Sequence, residues 1–168
     1  PYWVALGDVN GDNKLDAAVA ISSSPNVAIL LGNGTGGFGT PTPVPVASGP
    51  NSVAIGDFNN DGKKDIVTAN STTSTVSVLI GNGNATFAAA SNLPVGSDPI
   101  YAAIADVNLD GNQDILSANR NSADVTLRLG DGAGGFGPAV SIAVGSAPNH
   151  VAVGDVNGDG VPDIVSAD

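Results

Sequence analysis

The chain is built from a repeat of 49 residues, and this repeat constrains its fold more than any other feature. Four related segments, DVNGDNKLD, DFNNDGKKD, DVNLDGNQD and DVNGDGVPD, begin at Asp8, Asp57, Asp106 and Asp155, so each start lies 49 residues after the last (57 − 8 = 49). Phenylalanines and prolines between the segments keep this spacing, and the copies align without a gap. We interpret the 168 residues as a single domain with three complete repeats, 1–49, 50–98 and 99–147, and a half repeat, 148–168.

The composition predicts an all-β protein. There are 23 glycines and 11 prolines, and the valine, isoleucine, leucine and alanine residues occur in short runs between turn formers. Cysteine is absent, which excludes disulfides and thiolate metal sites. A net charge of −11 with five Lys and Arg residues argues against nucleic acid as a partner. The apolar runs are too short for membrane insertion.

The repeated D-x-N-x-D-G-x-x-D segment has the pattern of a calcium-binding loop. Oxygens at positions 1, 3 and 5 converge if the backbone turns sharply at position 6, which requires a positive φ. Gly62, Gly111 and Gly160 adopt such a φ without steric cost, and Asn13 is the next best residue for it. The carbonyl of position 7 and the aspartate of position 9 complete the shell, so we predict one calcium ion per loop and up to four per chain. The predicted ligands are Asp8, Asn10, Asp12, Lys14, Asp16, Asp57, Asn59, Asp61, Lys63, Asp65, Asp106, Asn108, Asp110, Asn112, Asp114, Asp155, Asn157, Asp159, Val161 and Asp163.

The alternative interpretation is that Asp, Asn and Gly simply mark β-turns. Four copies at one fixed spacing favour the cation instead. Twelve of the sixteen aspartates lie in the four loops, and four divalent ions would change the net charge from −11 to −3. Hard oxygen ligands without nearby Cys or His favour calcium over zinc or copper, and magnesium tolerates a flexible loop less well.

Each repeat is expected to form four strands, named A to D. Because antiparallel strands alternate in direction, the A–B loops and C–D turns are expected at one end of each blade and the B–C and D–A connections at the other. In the second repeat these are residues 52–57, 65–70, 75–81 and a weaker strand that ends near residue 94. In the first repeat Pro41, Pro43 and Pro45 alternate along strand D, which predicts that this strand is an outer edge. Four strands per repeat of this length predict a β-propeller with about three and a half four-stranded antiparallel blades, a partial propeller. A β-helix is the competing fold, but its repeats are much shorter.

The segment DVNGDGVPDIV, together with GGFG at 36–39 and 134–137, resembles FG-GAP and VCBS-type repeats, which occur in integrin α-chain propellers, some fungal lectins and many bacterial secreted proteins. The resemblance covers the whole chain and implies that Asp8, Asn10, Asp12, Asp16 and their counterparts bind calcium. Two departures are Asn13 in place of the usual glycine and NATF (84–87) in place of GGFG. The resemblance does not imply one activity, since such propellers serve adhesion, sugar binding and enzyme scaffolding.

Position 3 of the repeat varies and is the predicted ligand site. It holds Trp3, Ser52, Tyr101 and His150, at the end opposite the calcium loops, with Arg120 and Asp124 in a nearby B–C loop. Rings beside a positive charge bind sugars or peptide side chains. The competing interpretation is that Trp3 and Tyr101 are packing wedges between blades and that His150 is a hydrogen-bonded structural residue. Arg128 is expected to pair with an aspartate or face solvent.

The predicted function is a calcium-stabilised binding or adhesion module that is secreted or lies at the cell surface. Its ligand is a carbohydrate or a protein. The alternative is a calcium-dependent hydrolase or polysaccharide lyase, but no catalytic residues are identified, because no carboxylate pair lies outside the loops. Three and a half blades do not close a ring, so we also expect a homo-oligomer, with a dimer favoured, that completes the propeller.

Overall fold

The computed structural model describes all residues, 1–168, and consists of fourteen strands without a helix. The strands are β1 (Trp3–Gly7), β2 (Asp16–Ile21), β3 (Asn26–Leu30), β4 (Thr42–Pro45), β5 (Pro50–Gly56), β6 (Asp65–Asn70), β7 (Thr75–Leu79), β8 (Ser91–Pro94), β9 (Pro99–Ala105), β10 (Asp114–Asn119), β11 (Asp124–Arg128), β12 (Val140–Ala143), β13 (His150–Gly154) and β14 (Asp163–Ala167). A membrane-spanning helix is not found in the structure.

The strands form three four-stranded antiparallel sheets and one two-stranded sheet. Each larger sheet follows chain order, from β1 to β4, from β5 to β8 and from β9 to β12, and β13 pairs with β14. We call these sheets blades 1, 2 and 3 and the half blade. This arrangement confirms the predicted partial β-propeller, in which each repeat forms one blade.

The first strand of each blade lies on the inside. Strand β5 packs against both β1 and β9, and β9 packs against β13, so the four A strands succeed one another around the axis. The fourth strand ends each sheet, which confirms the edge position predicted from the alternating prolines of β4. The D strands are four residues long, shorter than the sequence suggested, because only that part pairs with the C strand.

The core lies between successive blades. Val27 and Ile29 of blade 1 pack with Val53, Ile66 and Leu79 of blade 2 in one cluster. Two further clusters join blade 2 to blade 3 and blade 3 to the half blade. Every residue of β6 and β10 is buried, because both faces of blades 2 and 3 are covered, whereas β1 is largely exposed on the open face of blade 1.

Arg128 corrects one expectation from the sequence, since it neither pairs with an aspartate nor faces solvent. Its guanidinium is buried and donates from Nε and Nη2 to the carbonyl of Pro94, at 3.1 and 2.6 Å, and from Nη1 to that of Gly137, at 2.7 Å. Burial lowers the pKa of Arg128. The side chain thus ties the last strand of blade 2 to blade 3 through its two hydrogen bonds to the Pro94 carbonyl.

Candidate functional site

The aspartate loops follow the inner strands, and the aspartate at position 9 anchors each loop. Asp65 is fully buried, and its two oxygens accept the amides of Phe58 and Gly81, both at 2.7 Å. Phe58 lies in the A–B loop and Gly81 at the start of the C–D turn, so these two connections share one end of the blade, as predicted. Asp16 and Asp114 make the same pair of bonds in their own blades.

The charge of Asp65 is costly in this position. Burial, together with repulsion from Asp57 and Asp61, raises the pKa of Asp65 above its ordinary value, although the two amide hydrogen bonds oppose the shift. A cation beside the loop would relieve that repulsion. In the half blade, Asp163 keeps only the bond from the amide of Val156, at 3.0 Å.

The aspartate at position 1 shapes the loop by accepting hydrogen bonds from the backbone amides that follow it. The two oxygens of Asp8 accept the amides of Gly11 and Asn13, each at 2.7 Å, and the side chains at positions 3 and 5 accept the amides two residues further on. Desolvation opposes ionisation, but the backbone amides outweigh it and hold the pKa of Asp8 below its ordinary value. The loop therefore brings together the carboxylate of Asp8, which is held ionised, and the side-chain oxygens of positions 3 and 5, which act as hydrogen-bond acceptors.

The turn at position 6 has the positive φ that the sequence predicted. The angle is 63° at Asn13, 80° at Gly62, 87° at Gly111 and 83° at Gly160. Sequence reasoning missed a second such position, two residues earlier. Position 4 also has positive φ in all four loops, in Gly11 (78°), Asn60 (56°), Leu109 (60°) and Gly158 (80°). The signal was present, because glycine or asparagine fills this position in three of the four copies.

The structure does not bring three carboxylates of any one loop into a metal-holding group. In two loops a lysine ammonium forms an ion pair with the aspartate at position 5. Lys14 Nζ lies 3.0 Å from Asp12 Oδ2, and Lys63 Nζ lies 3.1 Å from Asp61 Oδ2. The donor set fits a hard cation, since it consists of carboxylate, amide and carbonyl oxygens. Calcium binding stays a prediction.

At the other end of the inner strands, three rings from three blades meet. The ring centroids of Trp3 and Tyr101 are 5.1 Å apart at an interplanar angle of 74°, and Tyr101 stacks on His150 at 3.8 Å and 27°. Trp3 lies 6.2 Å from His150. We call these three residues the ring cluster. Since β1 runs for five residues between Trp3 and the start of its loop, about 16 Å of strand separates the rings from the aspartates.

The fourth residue at this position, Ser52, takes a different role. It is fully buried, and its Oγ accepts the amide of Ala102 at 2.9 Å, so it joins two neighbouring inner strands. Arg120 lies near the ring cluster, because its Nη2 donates to Asn149 Oδ1 at 3.0 Å, next to His150 in the chain. Its Nη1 also lies 3.9 Å from Asp98 Oδ2.

Asp124 was expected in the B–C loop beside Arg120, but it begins strand β11 and is buried. It accepts hydrogen bonds from Asn119, Ser122 and Ser141. Its acceptor capacity is used inside blade 3, so it is part of the scaffold.

The ring cluster itself combines apolar ring faces, a phenol, an imidazole and a nearby guanidinium, which is a chemistry suited to binding. Burial raises the pKa of Tyr101 above its ordinary value.

Comparison with known proteins agrees with the repeat architecture. A family model described as an FG-GAP-like repeat matches residues 8–68, 57–117 and 106–166, and each match runs from the loop of one blade into strand B of the next. No match was found among curated proteins.

Three solved structures share the fold. A lectin from Agrocybe aegerita, solved in a study of recognition of non-reducing terminal N-acetylglucosamine, has a TM-score of 0.56 and 19% identity, over 98% of this chain and 42% of the lectin. A biofilm matrix protein of V. cholerae has a TM-score of 0.55 and 21% identity, over 97% of this chain and 27% of that one. The Tc holotoxin pore of Photorhabdus luminescens has a TM-score of 0.56 and 21% identity, over 96% of this chain and 8% of that one. The chain thus spans less than half the length of each of these proteins.

Proposed function

The chain belongs to the FG-GAP-like repeat family, and from this premise we propose that it is a calcium-stabilised binding module that works outside the cell or at its surface. Its proposed ligand is a carbohydrate or a protein, held at the end of the propeller opposite the aspartate loops. A propeller fold does not select among functions. The proposal therefore rests on the side chains at that end.

The ring cluster is the observation that carries the proposal. Trp3 is 40% exposed although it contacts Tyr101, so part of the indole is free to contact a ligand. Exposed aromatic surface beside a phenol, an imidazole and the Arg120 guanidinium offers both apolar contact and hydrogen bonds. A sugar ring has the matching chemistry, with C–H groups on its faces and hydroxyls at its rim, and so does an aromatic or acidic peptide side chain.

The fold neighbours support a binding role. One is a lectin and another is a biofilm matrix protein, and both are similar to this chain over nearly its whole length. We extend to this chain only the general role of recognition, since identities near 20% do not carry a ligand from one propeller to another.

Calcium has a structural part in this proposal. In each loop the residues at positions 1, 3, 5 and 9 would hold the ion with their side chains and the residue at position 7 with its carbonyl. The ion would neutralise three aspartates in each loop and so stabilise the folded blade. Loops of this kind in extracellular modules bind calcium with dissociation constants of about 10⁻⁴ to 10⁻³ M, which is the reason for placing the protein outside the cell.

The test is a glycan array followed by titration of the best ligand against the variant Trp3→Ala/Tyr101→Ala. We expect a loss of affinity of at least tenfold with calcium binding unchanged. Phe38→Ala is the matched control, because Phe38 is an aromatic residue exposed to a similar extent as Trp3, 48% against 40%, but it lies in the C–D turn at the other end of the blade. Equal loss in control and double variant would refute the site. Breakdown of a polysaccharide on incubation would favour the hydrolase or lyase instead.

A further inference from the structure

The outer strands of blades 2 and 3 hold a guanidinium between them. Arg128 Nε and Nη2 donate to the carbonyl of Pro94 at the end of β8, and Nη1 donates to the carbonyl of Gly137 in blade 3. The two acceptors are main-chain groups from two different blades. The space between these outer segments is therefore built to bind a planar group that carries several N–H donors.

The equivalent space between blades 1 and 2 contains no such group. The residue 49 positions before Arg128 is Leu79, which is buried in the cluster between blades 1 and 2 and has no donor. The structure has an open cavity of about 350 Å³ here, whose lining includes Pro45 and Ala88. These two residues lie 49 positions before Pro94 and Gly137. We call this cavity the outer groove.

The carbonyls of Pro45 and Ala88 are available as acceptors. The amide of Val46 donates to the carbonyl of Pro25 at 2.9 Å, so Pro45 and Asn26 form the adjacent pair that makes no hydrogen bonds within the ladder. The Pro45 carbonyl consequently points away from β3, toward the free side of β4. The carbonyl of Ala88 accepts no hydrogen bond in the structure.

The free side of β4 offers acceptors without donors. Pro43 and Pro45 lie two residues apart and so face the same side of the strand, and proline has no N–H. A further strand cannot pair along this edge, because a ladder needs both donors and acceptors. A guanidinium suits the edge, since it has five donors and no acceptor. The net charge of −11 also favours a cationic ligand over a neutral one.

We propose that the outer groove binds the arginine side chain of a partner protein, whose guanidinium donates to the carbonyls of Pro45 and Ala88. The methylene groups of the arginine lie against Val46 and Phe87, which also line the groove. Lysine fits less well, because its ammonium is compact and strongly hydrated and does not present a planar set of donors to two carbonyls. This site lies on the outer strands and is separate from the ring cluster on the inner strands.

Titration of the ¹⁵N-labelled chain with N-acetyl-arginine amide, followed by NMR, tests this proposal. The amide signals of Ala88, Ala89 and Ala90 are expected to shift in a saturable way, with a dissociation constant of about 10⁻³ M for a probe of this size. N-acetyl-lysine amide should bind at least fivefold more weakly, and N-acetyl-norleucine amide should produce no saturable shift. The proposal is overturned if the arginine probe causes no shift at ten times the expected constant.

The two other probes can also contradict the proposal. Equal binding of the lysine probe would mean that the site responds to charge alone. Equal binding of the norleucine probe would identify the outer groove as a site for an apolar side chain.

Two variants show whether the arginine probe occupies the outer groove. Leu79→Arg introduces the residue that blade 3 has at this position, so its guanidinium should fill the groove from inside and abolish binding. Ala89→Trp should close the groove from outside and weaken binding at least tenfold, and it is expected to fold because Ala89 is exposed. Ala133→Trp is the matched control, at an exposed alanine in the C–D turn of blade 3. Wild-type affinity in Ala89→Trp would overturn the proposal, because the probe would then bind elsewhere.

Discussion

The buried carboxylate of Asp124 offers a sharp test of how polar groups stabilise blade 3. Its Oδ1 accepts from Asn119 Nδ2, at 3.1 Å, and from the hydroxyl of Ser122, and its Oδ2 accepts from Ser141 Oγ, at 2.6 Å. Desolvation alone would raise the pKa, but the bonds from Ser122, Ser141 and Asn119 outweigh it, so the pKa of Asp124 is lower than usual. The folded protein therefore favours the ionised form.

The size of the destabilisation by Asp124→Ala follows from the hydrogen-bond donors that lose their acceptor. Ser122 and Ser141 are exposed and regain water, whereas Asn119 is buried and loses one acceptor while keeping Thr126 Oγ1 at 2.8 Å. Hydrogen bonds to charged groups contribute about 1.5–3 kcal/mol each, and an exposed partner recovers most of that in water. We expect a loss of about 2 kcal/mol in the free energy of unfolding, or roughly 4–8 °C in the melting temperature for a chain of this size.

Urea denaturation of wild type, Asp124→Ala and Asp124→Asn between pH 6 and pH 3 measures both the size and the pH dependence. Because the folded pKa is depressed, the stabilisation by the charge is present above the unfolded value of about 3.9 and is lost as the pH falls through the folded pKa. The difference between wild type and Asp124→Asn should therefore shrink toward pH 3. A difference that does not change with pH, or a cost of Asp124→Ala below about 0.5 kcal/mol, would refute this reasoning.

Three further predictions concern the loops. Removal of calcium with excess chelator should lower the melting temperature, and an unchanged value would contradict the proposed calcium role. Lys63→Asn should raise the calcium affinity of its loop about two- to fivefold in calorimetric titration at low salt and less at high salt, because the competing ammonium on Asp61 is removed. Leu109→Gly should stabilise the protein by about 1 kcal/mol in urea denaturation, since Leu109 has a φ of 60° and glycine relieves the clash. Asn60→Gly at the equivalent position should gain less, because asparagine tolerates this conformation.

The sequence predicted the blades well because each repeat encodes them locally. Turn residues and apolar runs set the four strands, and four aligned copies made the 49-residue period unmistakable. The positive φ at Asn13 was likewise predicted from the residue type and the curvature of the loop. The period also allowed the prediction that the loops and the C–D turns share one end, because antiparallel strands alternate direction.

Contacts between repeats were harder to predict from the sequence. The bonds from Arg128 to Pro94 and Gly137 depend on where the last strand of blade 2 lies relative to blade 3, which a pattern within one repeat does not specify. The burial of Asp124 has a different origin, since it depends on pairing within one blade: its partners Asn119 and Ser141 come from the two strands that flank β11. Without knowledge of these partners, the charged residue Asp124 was predicted to lie in the B–C loop.

The side chain at position 3 of the repeat varies for two possible physical reasons, packing around the axis and ligand recognition. The ring cluster allows these two reasons to be distinguished. Side chains from all four inner strands approach one axis, and Ser52 is buried against the Ala102 amide where a fourth large ring would have to displace its neighbours. Unequal side chains at this position are therefore required by packing, whether or not a ligand binds. They also make the end of the propeller asymmetric, which recognition requires. If the rings serve packing, the Trp3→Ala/Tyr101→Ala variant should have a lower free energy of unfolding. If they serve recognition, it should lose ligand affinity at constant stability. Measuring both quantities on this variant therefore distinguishes the two causes.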